Sequence, residues 1–152
     1  MKKTVLLLAI ILFSFSMMGK DNKTVRVGVD ASVDCFESSS GSRIATSVGV
    51  GVRARWGQYN QWLNLVGGVR YIYGARLSGI QVPVLLNVNL LKGKKSAAYL
   101  GAGYEFDFIG TYWGCMKFQA GYGRKLLGRE VDFRVFYKPY QGDLGAGITF
   151  YF

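Results

Sequence analysis

The 152-residue chain has no histidine, two prolines, two cysteines and nine acidic residues against nineteen basic ones. Without histidine it lacks the commonest general acid/base and the commonest metal ligand. The histidine-dependent arrangements that serve serine, cysteine and most barrel-type membrane hydrolases are therefore closed to it. Two cysteines with no histidine supply too few soft ligands for a metal centre, and the sequence suggests no cofactor. Scarce proline and 15% aromatic content argue against disorder. The 21 glycines argue against a helical bundle, because glycine is costly inside helices.

Long apolar runs are scarce too. The single one, Val5 to Phe15, follows Met1-Lys2-Lys3-Thr4 and precedes a Ser-Phe-Ser-Met-Met-Gly stretch. A basic start, a short apolar run and a small-residue end read as a secretory signal peptide, residues 1–19, cleaved between Ser16 and Gly19. The run is too short for a spanning helix, which needs about 20 apolar residues. Removing it leaves residues 20–152 as one domain.

No segment after Thr24 keeps a 3.6-residue period; apolar residues recur at every second position. The alternation predicts strands over Thr24–Asp34, Ile44–Trp56, Gln61–Tyr73, Gly79–Leu91, Ala97–Ile109, Met116–Lys125, Glu130–Tyr137 and Gly142–Phe152. Most match the roughly 9–11 residues of a membrane-spanning strand. On one face only Thr46 and Gly67 are neither apolar nor aromatic. The other face interleaves glycine with charge: Arg26, Asp30, Arg53, Arg55, Arg70, Glu105, Asp107, Lys117, Lys125, Glu130, Asp132, Arg134 and Asp143. Small glycines leave room for long charged side chains inside a narrow barrel. Trp56, Tyr59, Trp62, Tyr73, Tyr112, Trp113, Tyr137 and Tyr140 lie near strand ends, as interfacial girdles require. The expected fold is thus all-β, an eight-stranded antiparallel up-and-down transmembrane β-barrel. A soluble lipocalin-like barrel is the competing architecture.

An even strand count puts both chain termini on the periplasmic side of a Gram-negative outer membrane. Segments 35–43, 74–78, 110–115 and 138–141 then become the extracellular connections. Eight strands make an interior that side chains just fill. Folding each connection at its centre sets Asp107 opposite Lys117, Glu105 opposite Gln119 and Lys125 opposite Glu130, with Asp30 near Gly49 and close to Arg70. A nearly balanced, ion-paired plug is the first reading of these charges; a narrow conduit or small-ligand cavity using the lumen arginines is the second. Glu105 and Asp107 share a face like a glycosidase carboxylate pair, but their expected neighbours favour a structural role. The Gly-x-Gly pairs lack a following helix and a third glycine, so they are no phosphate loop.

Cys35 and Cys115 fall at extracellular strand ends, where they would either bridge or stay as two thiols. Lys20, Lys23, Lys92, Lys94, Lys95, Arg124 and Arg129 gather at the mature N-terminus and the periplasmic turns. Lipid phosphates, envelope polymers or plain solvent are their candidate neighbours; nucleic acid is not, given the export signal. Phe152 ends an alternating strand, as does the signal that outer-membrane barrels present to the barrel-assembly machinery.

The stretch Gly79-Ile80-Gln81-Val82-Pro83-Val84-Leu85-Leu86 resembles the I-P-L-L-L strand of small PorT-like outer-membrane barrels, common in Bacteroidetes. Tyr99-Leu100-Gly101-Ala102-Gly103 and Gly145-Ala146-Gly147-Ile148-Thr149-Phe150 are similar to later strands of such PorT-like and OmpX-like eight-stranded proteins. The resemblance implies a non-enzymatic outer-membrane barrel whose partners are membrane lipid and envelope proteins, some relatives assisting secretion or gliding machinery. It transfers no catalytic or binding residue. Typical members carry larger loops than the short connections here. Pro83 inside a strand suggests a bulge.

Overall fold

The computed structural model describes residues 25–37, 44–58, 61–74, 78–93, 95–108, 114–127 and 129–152. The segment 1–19 read from sequence as a signal peptide, together with Lys20, Lys23, Lys94, Tyr59, Tyr112 and Trp113, lies outside the described residues. Eight strands follow one another: β1 (Val25–Glu37), β2 (Ile44–Trp56), β3 (Leu63–Gly74), β4 (Gly79–Lys92), β5 (Ser96–Asp107), β6 (Cys115–Leu126), β7 (Arg129–Lys138) and β8 (Asp143–Tyr151). Each pairs antiparallel with its sequence neighbours, and β1 pairs with β8 to close the barrel. Closure leaves no unpaired strand edge, the condition for placing a sheet in lipid.

The alternation decides which way each side chain points. Val48, Val50 and Val52 on β2 are 54%, 57% and 53% exposed, while their neighbours Ser47, Gly49 and Arg53 are buried. Leu86, Leu100, Phe118, Phe133 and Phe150 likewise face outward and are exposed. A soluble barrel of the lipocalin kind buries its apolar face. Here that face points out, and six carboxylates (Asp30, Asp34, Glu105, Glu130, Asp132, Asp143) with six cations (Arg53, Arg55, Arg70, Lys117, Arg134, Lys138) are buried inside. Water strongly disfavours such an arrangement and hydrocarbon favours it.

One local expectation needs correction. Pro83 makes no bulge: the β3–β4 ladder skips Gly68 and Val69, then resumes in the same register at Arg70 and Gln81. Proline simply has no N–H to give the ladder. The irregularity of β4 lies instead on its β5 side, between Asn89 and Leu91. Among the expected girdle residues, Trp62, Tyr73, Tyr137 and Tyr140 are exposed at the two rims, and Trp56 is half-buried.

Candidate functional site

Among the described residues the chemistry-bearing side chains converge in the lumen, where they form three tiers along its axis. The first lies toward the rim where β7 ends and β8 begins. Glu105, on β5, is fully buried and accepts hydrogen bonds from Lys117 Nζ at 2.6 Å and Arg70 Nη2 at 3.0 Å. Lys138 Nζ lies 3.1 Å from the same carboxylate, 2.8 Å from Asp34 and 3.5 Å from Asp143. Arg70 spreads its guanidinium over four acceptors, adding Gln81, Ser32 and Asp34. Phe136 lies under three cations: its ring centroid is 3.9 Å from Lys117 Nζ, 5.3 Å from Arg70 Cζ and 5.9 Å from Lys138 Nζ. Cations held over an aromatic face gain electrostatically once water is excluded.

In the middle tier Asp30 accepts from Arg134 Nη2 and from Thr149 Oγ1, both at 2.6 Å. Asp132 accepts from the Tyr99 hydroxyl at 2.7 Å. Arg53 donates to Gln119 at 2.9 Å, and Gln119 donates onward to Asn87 at 2.6 Å. Gly121 opposite Tyr99 is the space this ring needs, since a Cβ there would stand 2.4 Å from the phenol oxygen. The third tier lies toward the rim where β1 begins. Arg55 pairs with Glu130 and stacks over Tyr151, and Arg26 reaches the same carboxylate at 3.8 Å.

Several sequence-level pairings are corrected by this geometry. Lys117 stands opposite Gly103 and pairs diagonally with Glu105, not with Asp107; Gln119 stands opposite Gly101. Asp30 stands opposite Gly51, not Gly49, and its partner is Arg134. Gly51 in turn stands opposite Arg70. Lys125 does stand opposite Glu130, but its side chain is exposed at the rim, and Arg55 and Arg26 take the carboxylate. Asp107 is half-buried and within 3.5 Å of Gln141 Nε2.

Asp30 shifts because β1 runs on to Glu37, so the β1–β2 hairpin folds about 38–43; for Lys117 and Gln119 the cause is stagger. β5 runs on along β4, where Asp107 meets Gln81 and Phe108 N donates to Ile80 O, while its pairing with β6 stops at Glu105 and Cys115. Closing a sheet into a barrel demands this offset, and a connection folded at its centre ignores it.

Sequence reasoning missed Asp34, Tyr99, Lys138 and Tyr151, all buried in the lumen. Each is one further step along a two-residue period already recognised. Lys138 falls in the connection expected over 138–141, but it is the last residue of β7. Cys35 and Cys115 are both free. Cys35 stands opposite Thr46 on the outward face; Cys115, opposite Glu105, is buried on the inward one. Strands β1 and β6 are not neighbours, so the bridge entertained from sequence does not form.

With these residues in place little space remains. The cavity between Asp30, Arg53, Arg70, Lys117 and Arg134 holds about 10 Å³, the room of roughly one water molecule. Chemically the lumen is a set of fixed charges, most of them facing an opposite charge. Arg53 is bonded to Gln119 instead, and Asp34 Oδ1, Arg53 Nε and Arg134 Nε are buried without a hydrogen-bond partner among the described residues. Glu105 and Asp107 do not form an open acid/base pair, because three cations occupy Glu105.

No family model matches the chain, and no curated protein matches it. Among solved structures it is similar to a chain from the de novo design of transmembrane β-barrels, at a TM-score of 0.60 and 12% identity over 88% of this chain and 98% of that one. The likeness is one of fold: an eight-stranded closed antiparallel barrel of the transmembrane type.

Proposed function

We propose that this chain is a small integral outer-membrane β-barrel of a Gram-negative envelope, related to the PorT-like and OmpX-like proteins, with a sealed lumen and a structural or protein-interaction role. The observation that carries the reading is the inversion of its faces: exposed valines, leucines and phenylalanines outside, six buried cations against six buried carboxylates inside. Its partners are then membrane lipid, the barrel-assembly machinery that would receive the strand ending in Phe152, and envelope proteins. A non-enzymatic role is supported by the missing histidine and by the engagement of Glu105, the acid best placed for chemistry, with three cations. A sealed lumen is supported by the 10 Å³ cavity, far too small to pass a hydrated solute.

The test combines fractionation with planar-bilayer recording. The native chain is expected in the outer-membrane fraction, with a gel mobility that shifts on boiling and no discrete conductance steps. Recovery as a soluble protein without detergent would contradict the membrane reading. Openings that vanish on Arg53→Ala or Arg70→Ala substitution would replace the plug by a conduit.

A further inference from the structure

The rim where β1 begins and β8 ends carries cations that the lumen does not use. Lys92, Lys95, Arg124, Lys125 and Arg129 are all exposed. They lie on consecutive strands: Lys125 N donates to Lys95 O at 2.7 Å, Arg124 stands opposite Ser96, and Leu126 stands opposite Arg129. None of the five forms an ion pair among the described residues. Among the described residues the carboxylate beside them, Glu130, is taken inward by Arg55 and Arg26.

Arg124 and Arg129 sit at the margin of the outward apolar face, while Lys92, opposite the inward Ala97, and Lys125, opposite the inward Glu130, are exposed at the barrel mouth beside them. Arg124 stands opposite Val131, and one step farther along the same face Tyr122 meets Phe133. The Arg129 guanidinium lies 5.2 Å from the Phe152 ring centroid, and Lys92 Nζ lies 3.4 Å from that of Trp62. Leucines accompany them. Leu91 is 72% exposed, Leu126 is 45% exposed, and Leu127, at the tip of the β6–β7 turn, is fully exposed. Leu127 also holds a φ of +50°, a conformation in which turns usually place glycine or asparagine. A leucine at that position meets nothing of the barrel. Apolar side chains interleaved with unneutralised cations, directly beyond a lipid-facing band, match the depth at which acyl chains give way to phosphates.

We infer that the β4–β7 end of this rim is a binding surface for anionic phospholipid, its arginines and lysines on phosphodiester head groups and its leucines among the upper acyl carbons. The inference rests on the membrane reading above and adds a preference among lipids and a fixed side for it. Anionic lipid is favoured over an acidic protein because Arg124 and Arg129 share one margin of the outward face with Leu91 and Leu126 and continue its apolar band.

The test uses the full chain refolded into phosphatidylcholine bilayers containing spin-labelled phosphatidylglycerol or spin-labelled phosphatidylcholine. Electron paramagnetic resonance then reports how strongly each labelled lipid associates with the protein. Phosphatidylglycerol is expected to associate roughly fivefold more strongly at low salt, as charge near a membrane surface permits. The preference should weaken in 0.5 M salt, about a 4 Å screening regime. Exchanging Arg124, Lys125 and Arg129 for glutamine should bring it close to one, with the boiling-dependent mobility shift retained as proof of folding. If that triple variant fails to fold, Lys92→Gln with Lys95→Gln, at the adjacent turn, is expected to halve the preference. Equal association of both lipids with the folded native barrel would overturn the inference and leave the membrane reading intact. A native preference unchanged in the folded variants would overturn it as well. Failure of the chain to insert into either bilayer would overturn the membrane reading and this inference together.

Discussion

Glu105→Gln is expected to destabilise the folded barrel by about 3–5 kcal/mol, the usual cost of breaking a buried ion pair from one side. The size follows from what the substitution leaves behind. Three buried cations, Arg70, Lys117 and Lys138, share the Glu105 carboxylate. Without its charge they keep only Asp34, which two of them already share, and Asp143, 3.5 Å from Lys138. All three are buried, so bulk solvent does not reach the surplus. Lys117→Met should cost less, since Glu105 would retain Arg70 and Lys138. The double variant should cost less than the sum of the two, because residues in one network couple. Urea unfolding of the refolded protein in bilayers, followed by tryptophan fluorescence, measures all three. A change below about 1 kcal/mol for Glu105→Gln, the range of a screened surface pair, would mean that water reaches this tier.

Phe136→Ala is the second large effect, expected at about 3–5 kcal/mol from the cavity alone. The ring supports Lys117, Arg70 and Lys138 and fills the barrel from β7 toward β8. Gly145 opposite is the room it needs: a Cβ there would lie 2.3 Å from the ring. Backbone from three strands fixes that gap, so it cannot close over a missing ring. Phe136→Leu should fall between the two, keeping much of the volume while losing the aromatic face. Both are read from the same unfolding series. Equal stability of the alanine and native proteins would show that the three cations do not depend on the ring.

These two residues also show how far the sequence could be read. The two-residue period located every strand to within three residues at either end and assigned the faces, because a strand buried on one side leaves no other choice of facing. It therefore put Glu105, Arg70 and Lys117 inside before any pairing was known. Who meets whom was a different matter. Asp107 and Lys117 look like partners across a short connection, yet the barrel's stagger moves Lys117 opposite Gly103. That offset is a property of the closed ring, set jointly by all eight strands, and no single hairpin reveals it. Phe136 read as an apolar interruption of a polar face. Its role appears only once three cations from three other strand positions are seen to meet over it. Lys138 and Asp34 lie at or just past the strand ends that the alternation marks, at Tyr137 and Asp34, while β7 runs to Lys138 and β1 to Glu37.

The central claim is that this barrel turns its apolar face to lipid and its charges to itself. The most direct measurement is a methyl-resolved nuclear Overhauser experiment on the folded protein in acyl-chain-protonated bilayers. Val48, Val50, Val52, Leu86 and Leu100 are expected to show cross-peaks to lipid acyl protons. Val66, Ile72 and Leu85, equally apolar but 1%, 3% and 1% exposed on the inward face, should show none. Acyl contacts from Val66, Ile72 and Leu85, or water contacts in place of lipid ones at Val48, Val50 and Val52, would contradict the account.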